Sequence, residues 1–190
     1  MEKIKKLEAK KIISEYSFVK TNEEYIEEVI SENTQKFLKE INDLMKDLGI
    51  SHNNQNKTNT KNTNKQTIYD QKDFNVSTIN KMKKIYREIV KITHPDKVTD
   101  TDLNSIYISA KEAYHNNDIM ELFYICSNLK IEIEIDNYDI MAFNKIIEEK
   151  KKKSKSTEKS YLWLWVNSES DEERLDIVKM FINNNYNQNI

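Results

Sequence analysis

One glycine, one proline and one cysteine are all that 190 residues contain of these types. A single glycine leaves no GxGxxG turn and no glycine-rich loop to cradle a phosphate, so nucleotide sites built on such loops are excluded. The lone Cys126 excludes an internal disulfide and a thiolate metal cluster. No run of 18 apolar residues occurs, and the opening MEKIKKLEAKK lacks the apolar core of a signal peptide. Charged residues make up 33% and hydrophobic residues 37%. The expectation is a cytoplasmic, non-membrane chain of one or two small domains that needs no cofactor.

The proline is Pro95, within His94-Pro95-Asp96-Lys97, directly behind the helix-like run INKMKKIYREIVKIT. Proline is poorly tolerated inside a helix and pushes the residue before it toward extended geometry. A helix from about Thr78, capped by Asn75 or Ser77, is therefore predicted to stop near Thr93 or His94. Net charge is only -2, yet from Lys81 to Lys97 six basic residues (Lys81, Lys83, Lys84, Arg87, Lys91, Lys97) face only Glu88 and Asp96. Met82, Tyr86, Ile89 and Val90 would face inward, flanked by Ile79, Ile85 and Ile92, and Lys83, Lys84, Arg87 and Lys91 would spread over the outward side. Beyond VTDTD, where Asp100, Thr101 or Asp102 can start a helix, Tyr107, Ala110, Ala113 and Tyr114 put small residues where two helices can approach closely. The pattern describes a helical hairpin with a charged turn at its tip.

Around this centre the chain divides into an N-terminal helical region (1–49), a polar low-complexity linker (50–67), the central module (68–130) and a C-terminal helical region (131–190). Residues 1–18 read as a short basic helix or arm. Thr21-x-x-Glu24 fits a capping box with Val19 as a staple, opening a second helix that buries Ile30, Phe37, Ile41, Leu44 and Leu48 and ends at Gly49. Residues 22–48 are thus an option for coiled-coil pairing with a second copy. After Tyr114, Asn117 or Asp118 can cap a helix to about Asn128. Residues 131–135 alternate and 161–166 form a short apolar run, so each is open as a strand or as part of a helix. Asp136 or Asn137 begins a further helix, expected to dissolve into the basic tract Lys150–Lys159. Ser170-x-x-Glu173 is a second capping box, and the NNNYNQN tail is expected to fray.

MKKIYREIVKITHPDK resembles the second helix and following loop of a J domain, the module through which Hsp40-type co-chaperones stimulate Hsp70. Met82, Lys83, Lys84, Tyr86, Arg87 and Ile89 fill that helix's pattern, and Tyr107, Ala110, Ala113 and Tyr114 are similar to the family's third helix. The resemblance covers about residues 70–128. Thr93 stands where the family has an aromatic residue, Lys91 and Ile92 are swapped relative to its usual order, and no Tyr-x-x-Leu marks a first helix between Ile68 and Ser77. Either YDQKDF replaces it or the first helix is missing. The asparagine-rich style is similar to that of proteins of large DNA viruses. The resemblance implies that His94, Pro95 and Asp96 trigger ATP hydrolysis on an Hsp70 near its interdomain linker. Lys97, Lys83, Lys84, Arg87 and Lys91 would dock electrostatically, and the chain itself would catalyse nothing. The client is unreadable, and whole-chain charge gives no push toward nucleic acid. A different class of function is a J-like fold kept as a scaffold, with no effect on Hsp70.

The remaining chemistry-bearing residues have plainer readings. His52 lies in the linker and His115 stands near Cys126 without further ligands, so no metal site is expected. Cys126 falls on an apolar helical face and reads as a buried, inert thiol. Asn56-Lys57-Thr58 and Asn75-Val76-Ser77 fit the glycosylation triplet only incidentally. Trp163 and Trp165 would share one face of a strand, either buried against the last helix or exposed as a binding patch.

Overall fold

The computed structural model describes residues 2–50, 76–186 and 188. Within them the chain forms seven helices and no strand: α1 (Glu2–Asp47), α2 (Val76–Thr93), α3 (Thr101–His115), α4 (Ile119–Asn128), α5 (Asn137–Thr157), α6 (Tyr161–Val166) and α7 (Asp171–Tyr186). The mainly helical class is as expected. All but Ile50 of the expected linker, YDQKDF, Asn56, Asn75 as cap or glycosylation site, and His52 lie outside the described residues.

Several local expectations are corrected. α1 does not break near Thr21, which sits exposed inside one continuous helix. Nothing around it is a helix breaker, and Val19, rather than acting as a staple, is buried in its own right. The helix ends as expected at Gly49, whose φ of +67° allows Ile50 N–H to reach Met45 O (2.9 Å) and Gly49 N–H to reach Lys46 O (3.1 Å). Asn117 and Lys130 close α3 and α4 with the same pair of bonds at positive φ. A chain with one glycine thus ends two further helices through residues for which the left-handed region is costlier. Leu48, beyond the helical stripe, is exposed.

Ser77 lies inside α2 and is not its cap. Neither strand candidate forms a strand. Residues 131–136 are irregular, and 161–166 is α6, started by Ser160, whose hydroxyl accepts from Trp163 N–H. The basic tract stays helical to Thr157, and α7 runs through the asparagines to Tyr186. Other caps fall where the acidic and serine residues placed them. Asp100 accepts from Asp102 and Leu103 N–H, Asp118 from Glu121 N–H, and Ser170 from Glu173 N–H.

The chain divides into two units, each built from separated segments. The first joins α1 up to Ser17 with α2, α3, α4 and α5 up to Asn144. Its core includes Ile12 and Tyr16 of α1, Met82, Ile85 and Ile89 of α2, Ala110 and Ala113 of α3, and Leu122 and Phe123 of α4. Tyr16 donates to Glu121 (2.9 Å) and meets Tyr124 edge-on, so residues far upstream of the central module help to build it. The second unit joins α1 from Phe18 with α5 from Lys145, α6 and α7. Phe37, Ile41 and Met45 pack there with Trp165, Ile177, Val178 and Ile182.

One polar contact anchors α5 in the first unit. Asp136 and Asp139 cap each other's backbone N–H groups at 2.9 Å, and Lys81 donates to both carboxylates, at 3.1 Å to Asp136. Burial alone would lower the Lys81 pKa, but its hydrogen bonds to Asp139 and Asp136 outweigh it and hold the ammonium above the ordinary lysine range. Asp136 is held below the ordinary carboxylate range, first by the Asp139 backbone N–H and then by Lys81. Lys81→Met leaves the buried Asp139 carboxylate without its cation, at an expected cost of about 1.5–3 kcal/mol in urea unfolding. Because the folded-state lysine pKa is raised, this contribution is full below about pH 10.4 and disappears as pH rises through the folded value. The difference between wild type and variant should therefore narrow at strongly alkaline pH.

Candidate functional site

The geometry of α2 follows from its helical period. Met82, Ile85 and Ile89 recur on one side and are buried, so Ile85 belongs to the core while Tyr86 and Val90 are only half-buried. Four residues after Ile89, Thr93 continues that stripe. It is 0% exposed, and its hydroxyl donates to Ile89 O at 2.9 Å. Thr93 therefore faces the interior and satisfies its one polar group within the helix.

The opposite side is basic. Lys83, Lys84, Arg87 and Lys91 are exposed and, with Asn80 and Glu88, line a single shallow concavity. Glu88 takes one of these cations, Lys91, at 2.6 Å. Lys81, one step off this row, points to Asp136 and Asp139 instead.

Beyond Thr93 the backbone turns. His94 N–H still reaches Val90 O (3.0 Å), and His94 O then accepts from both Lys97 N–H (2.9 Å) and Val98 N–H (3.2 Å). Pro95 occupies the first central position of this turn, where its fixed φ costs nothing. Asp96 N–H donates to His94 Nδ1 at 3.2 Å, so the neutral ring carries its proton on Nε2. The Asp96 side chain is 85% exposed and that of His94 34% exposed. Lys97 is exposed as well.

α3 supports the turn. The Tyr107 ring meets His94 edge-on at 5.5 Å, and Tyr114 stacks on Tyr86 at 4.6 Å with 11° between planes. Moving from 86 to 94 on α2 corresponds to moving from 114 back to 107 on α3, so the two helices run antiparallel. Ala110 and Ala113 of α3 are buried, and their small side chains permit close approach. Burial, then the neighbouring Tyr107 and Tyr114, raises the Tyr86 pKa and keeps its hydroxyl protonated.

All eight residues singled out from the sequence thus belong to two adjoining surfaces: the turn (His94, Pro95, Asp96, Lys97) and the outward face of α2 (Lys83, Lys84, Arg87, Lys91). Tyr107 as the ring beneath His94 was not singled out, since an aromatic on a hairpin helix reads as general core. Among the described residues no group of three His, Cys, Asp or Glu side chains is placed to hold a metal ion. Burial, and secondarily Glu88, pushes the Cys126 thiol up to about 12, so it is protonated and unreactive at neutral pH. No helix among the described residues is long and apolar enough to cross a membrane. No family model matches the chain, nor does any curated protein or solved structure.

Proposed function

We propose that this chain is a J-domain-type co-chaperone that docks on an Hsp70 through the basic face of α2 and stimulates ATP hydrolysis through the His94-Pro95-Asp96 turn. One observation carries the reading: a rigid, solvent-facing His-Pro-Asp turn ends a helix whose outward face is cationic and whose inward face is braced by an antiparallel helix. Asp96 offers a carboxylate to a partner arginine, where a charge-assisted bond is strong and directional. The pre-set turn loses little further entropy on binding. The cations steer and orient the encounter more than they add affinity.

A single-turnover assay with an Hsp70 tests this. The wild-type chain is expected to accelerate hydrolysis of bound ATP. Lys83→Glu/Arg87→Glu is expected to weaken that acceleration about tenfold at about 10 mM salt, with the gap shrinking at about 150 mM as the Debye length contracts. No acceleration of any Hsp70 from the same compartment, or a charge reversal without effect at low salt, would overturn the reading.

A further inference from the structure

Residues 131–136 (IEIEID) join α4 to α5 without helix, turn or bend. Exposure alternates along them: Ile131, Ile133 and Ile135 are half-buried, and Glu132, Glu134 and Asp136 are exposed. A period of two is that of an extended chain with one face on the protein and the other in solvent. Both ends are pinned. Ile131 N–H donates to Cys126 O at 2.9 Å, and Asp136 N–H donates to Asp139 Oδ2 at 2.9 Å, beside the Lys81 ammonium. Between these anchors the N–H and C=O groups of Glu132, Ile133, Glu134 and Ile135 make no hydrogen bond among the described residues. β-Branched isoleucine favours an extended backbone, and pairing with another strand is what satisfies such a backbone. The segment is thus fixed in place, apolar on one face and unpaired along its edges.

The side chains set the chemistry of a partner. Glu132 and Glu134 stand about 7 Å apart on the outer face, with no cation in ion-pair reach among the described residues. A second copy of the same segment is a poor match. Any register that keeps both isoleucine rows on one face sets glutamate opposite glutamate, and like charges directly opposed are destabilising. A strand with lysine or arginine at alternate positions reverses that sign, and apolar residues between them extend the isoleucine row.

We infer that residues 131–135 take up an extended segment of a partner protein as an added β-strand, one in which basic and apolar residues alternate. Main-chain hydrogen bonds hold the segment, and the two carboxylates select its charge. The inferred contact uses no residue of the His94 turn or of the basic face of α2.

A capped peptide of alternating lysine and valine tests this on the full chain, with no chaperone present. Successive N–H groups of a strand point to opposite edges, so one added strand protects every second amide. At about ten times its Kd, the peptide is expected to slow hydrogen exchange about tenfold, either at 132 and 134 or at 133 and 135. A peptide with glutamate in place of lysine should bind at least about tenfold more weakly. Glu132→Lys/Glu134→Lys, which alters only exposed side chains, should exchange the two preferences. Of two lysine peptides N-methylated on alternate nitrogens, the one whose methyl groups face the segment should lose binding while the other keeps it. No protection at these amides, equal binding of the two methylated peptides, or a charge reversal that leaves the preference unchanged would overturn the inference.

Discussion

His94→Gln is expected to leave the protein folded and to reduce the proposed acceleration of Hsp70 ATP hydrolysis at least about tenfold, equivalent to about 1.4 kcal/mol of lost transition-state stabilisation. The two halves of that expectation have separate causes. Structurally, His94 lies at the end of α2 and its side chain is outside the core. Its backbone carries the turn through bonds to Val90, Lys97 and Val98 that do not depend on the side chain. Loss of the edge-on contact with Tyr107 and of the Asp96 N–H bond should cost no more than about 1 kcal/mol, because glutamine can supply a replacement acceptor. Functionally, glutamine cannot present an imidazole Nε2 donor on a rigid ring. Circular dichroism and urea unfolding should therefore give a near-wild-type protein while the single-turnover rate falls to that of Hsp70 alone. A folded variant that still accelerates hydrolysis fully would remove His94 from the mechanism. A variant that unfolds would instead assign the residue a structural role that the geometry does not give it.

The contrast with the basic face makes the two surfaces separable. Reversing Lys83 and Arg87 should act through encounter and fade with salt, whereas the His94 effect should persist at every ionic strength.

Much of this arrangement was legible from local chemistry. Pro95 stops α2, and Asp100, Asp118 and Ser170 cap helices, because each acts on its own backbone neighbourhood, which a sequence displays directly. Residues 83, 84, 87 and 91 share a face for the same reason. What escaped depends on partners distant in the chain. The basic tract continues α5 because lysine is a good helix former and because Glu23 and Glu27, more than 120 residues away, neutralise Lys150 and Lys153. Lys81 counts only as one of the local basic residues in the sequence, and its pairing with Asp136 and Asp139 needs the fold to bring them beside it. Thr93, read from the sequence as a missing aromatic on the turn, faces inward at the end of the α2 core stripe. Helix entry at Thr21 failed for a different reason. A capping box is only an option for the backbone, and with no glycine or proline nearby the helical alternative is continuous and cheaper.

Trp165→Ala is expected to cost about 3–5 kcal/mol, the largest stability loss among these substitutions. In a strand Trp163 and Trp165 would have shared a face, whereas in α6 they diverge. Trp163 meets Tyr25 edge-on at 6.2 Å, and Trp165 turns into the core at 4% exposed. There its ring lies 5.6 Å from Phe37, its Nε1 donates to Glu40 at 2.8 Å, and the Arg174 guanidinium sits 5.0 Å over its face. α6 has six residues, too few to hold a helix by backbone bonds alone, and Trp165 is the only one of them fully buried. Truncation therefore opens a large cavity beside Phe37 and also removes the one fully buried side chain of the segment, leaving Tyr161, Leu162 and Val166 only partly buried against that core. Hydrogen exchange should show amides 161–166 losing protection, and the urea midpoint should fall. Trp165→Phe separates the contributions: it keeps most of the ring and loses only the N–H, and Glu40 is exposed enough for water to replace that donor. It should recover more than half of the loss. An alanine variant within about 1 kcal/mol of wild type would mean that the Ile177, Val178 and Ile182 face of α7 packs on α1 without help from α6.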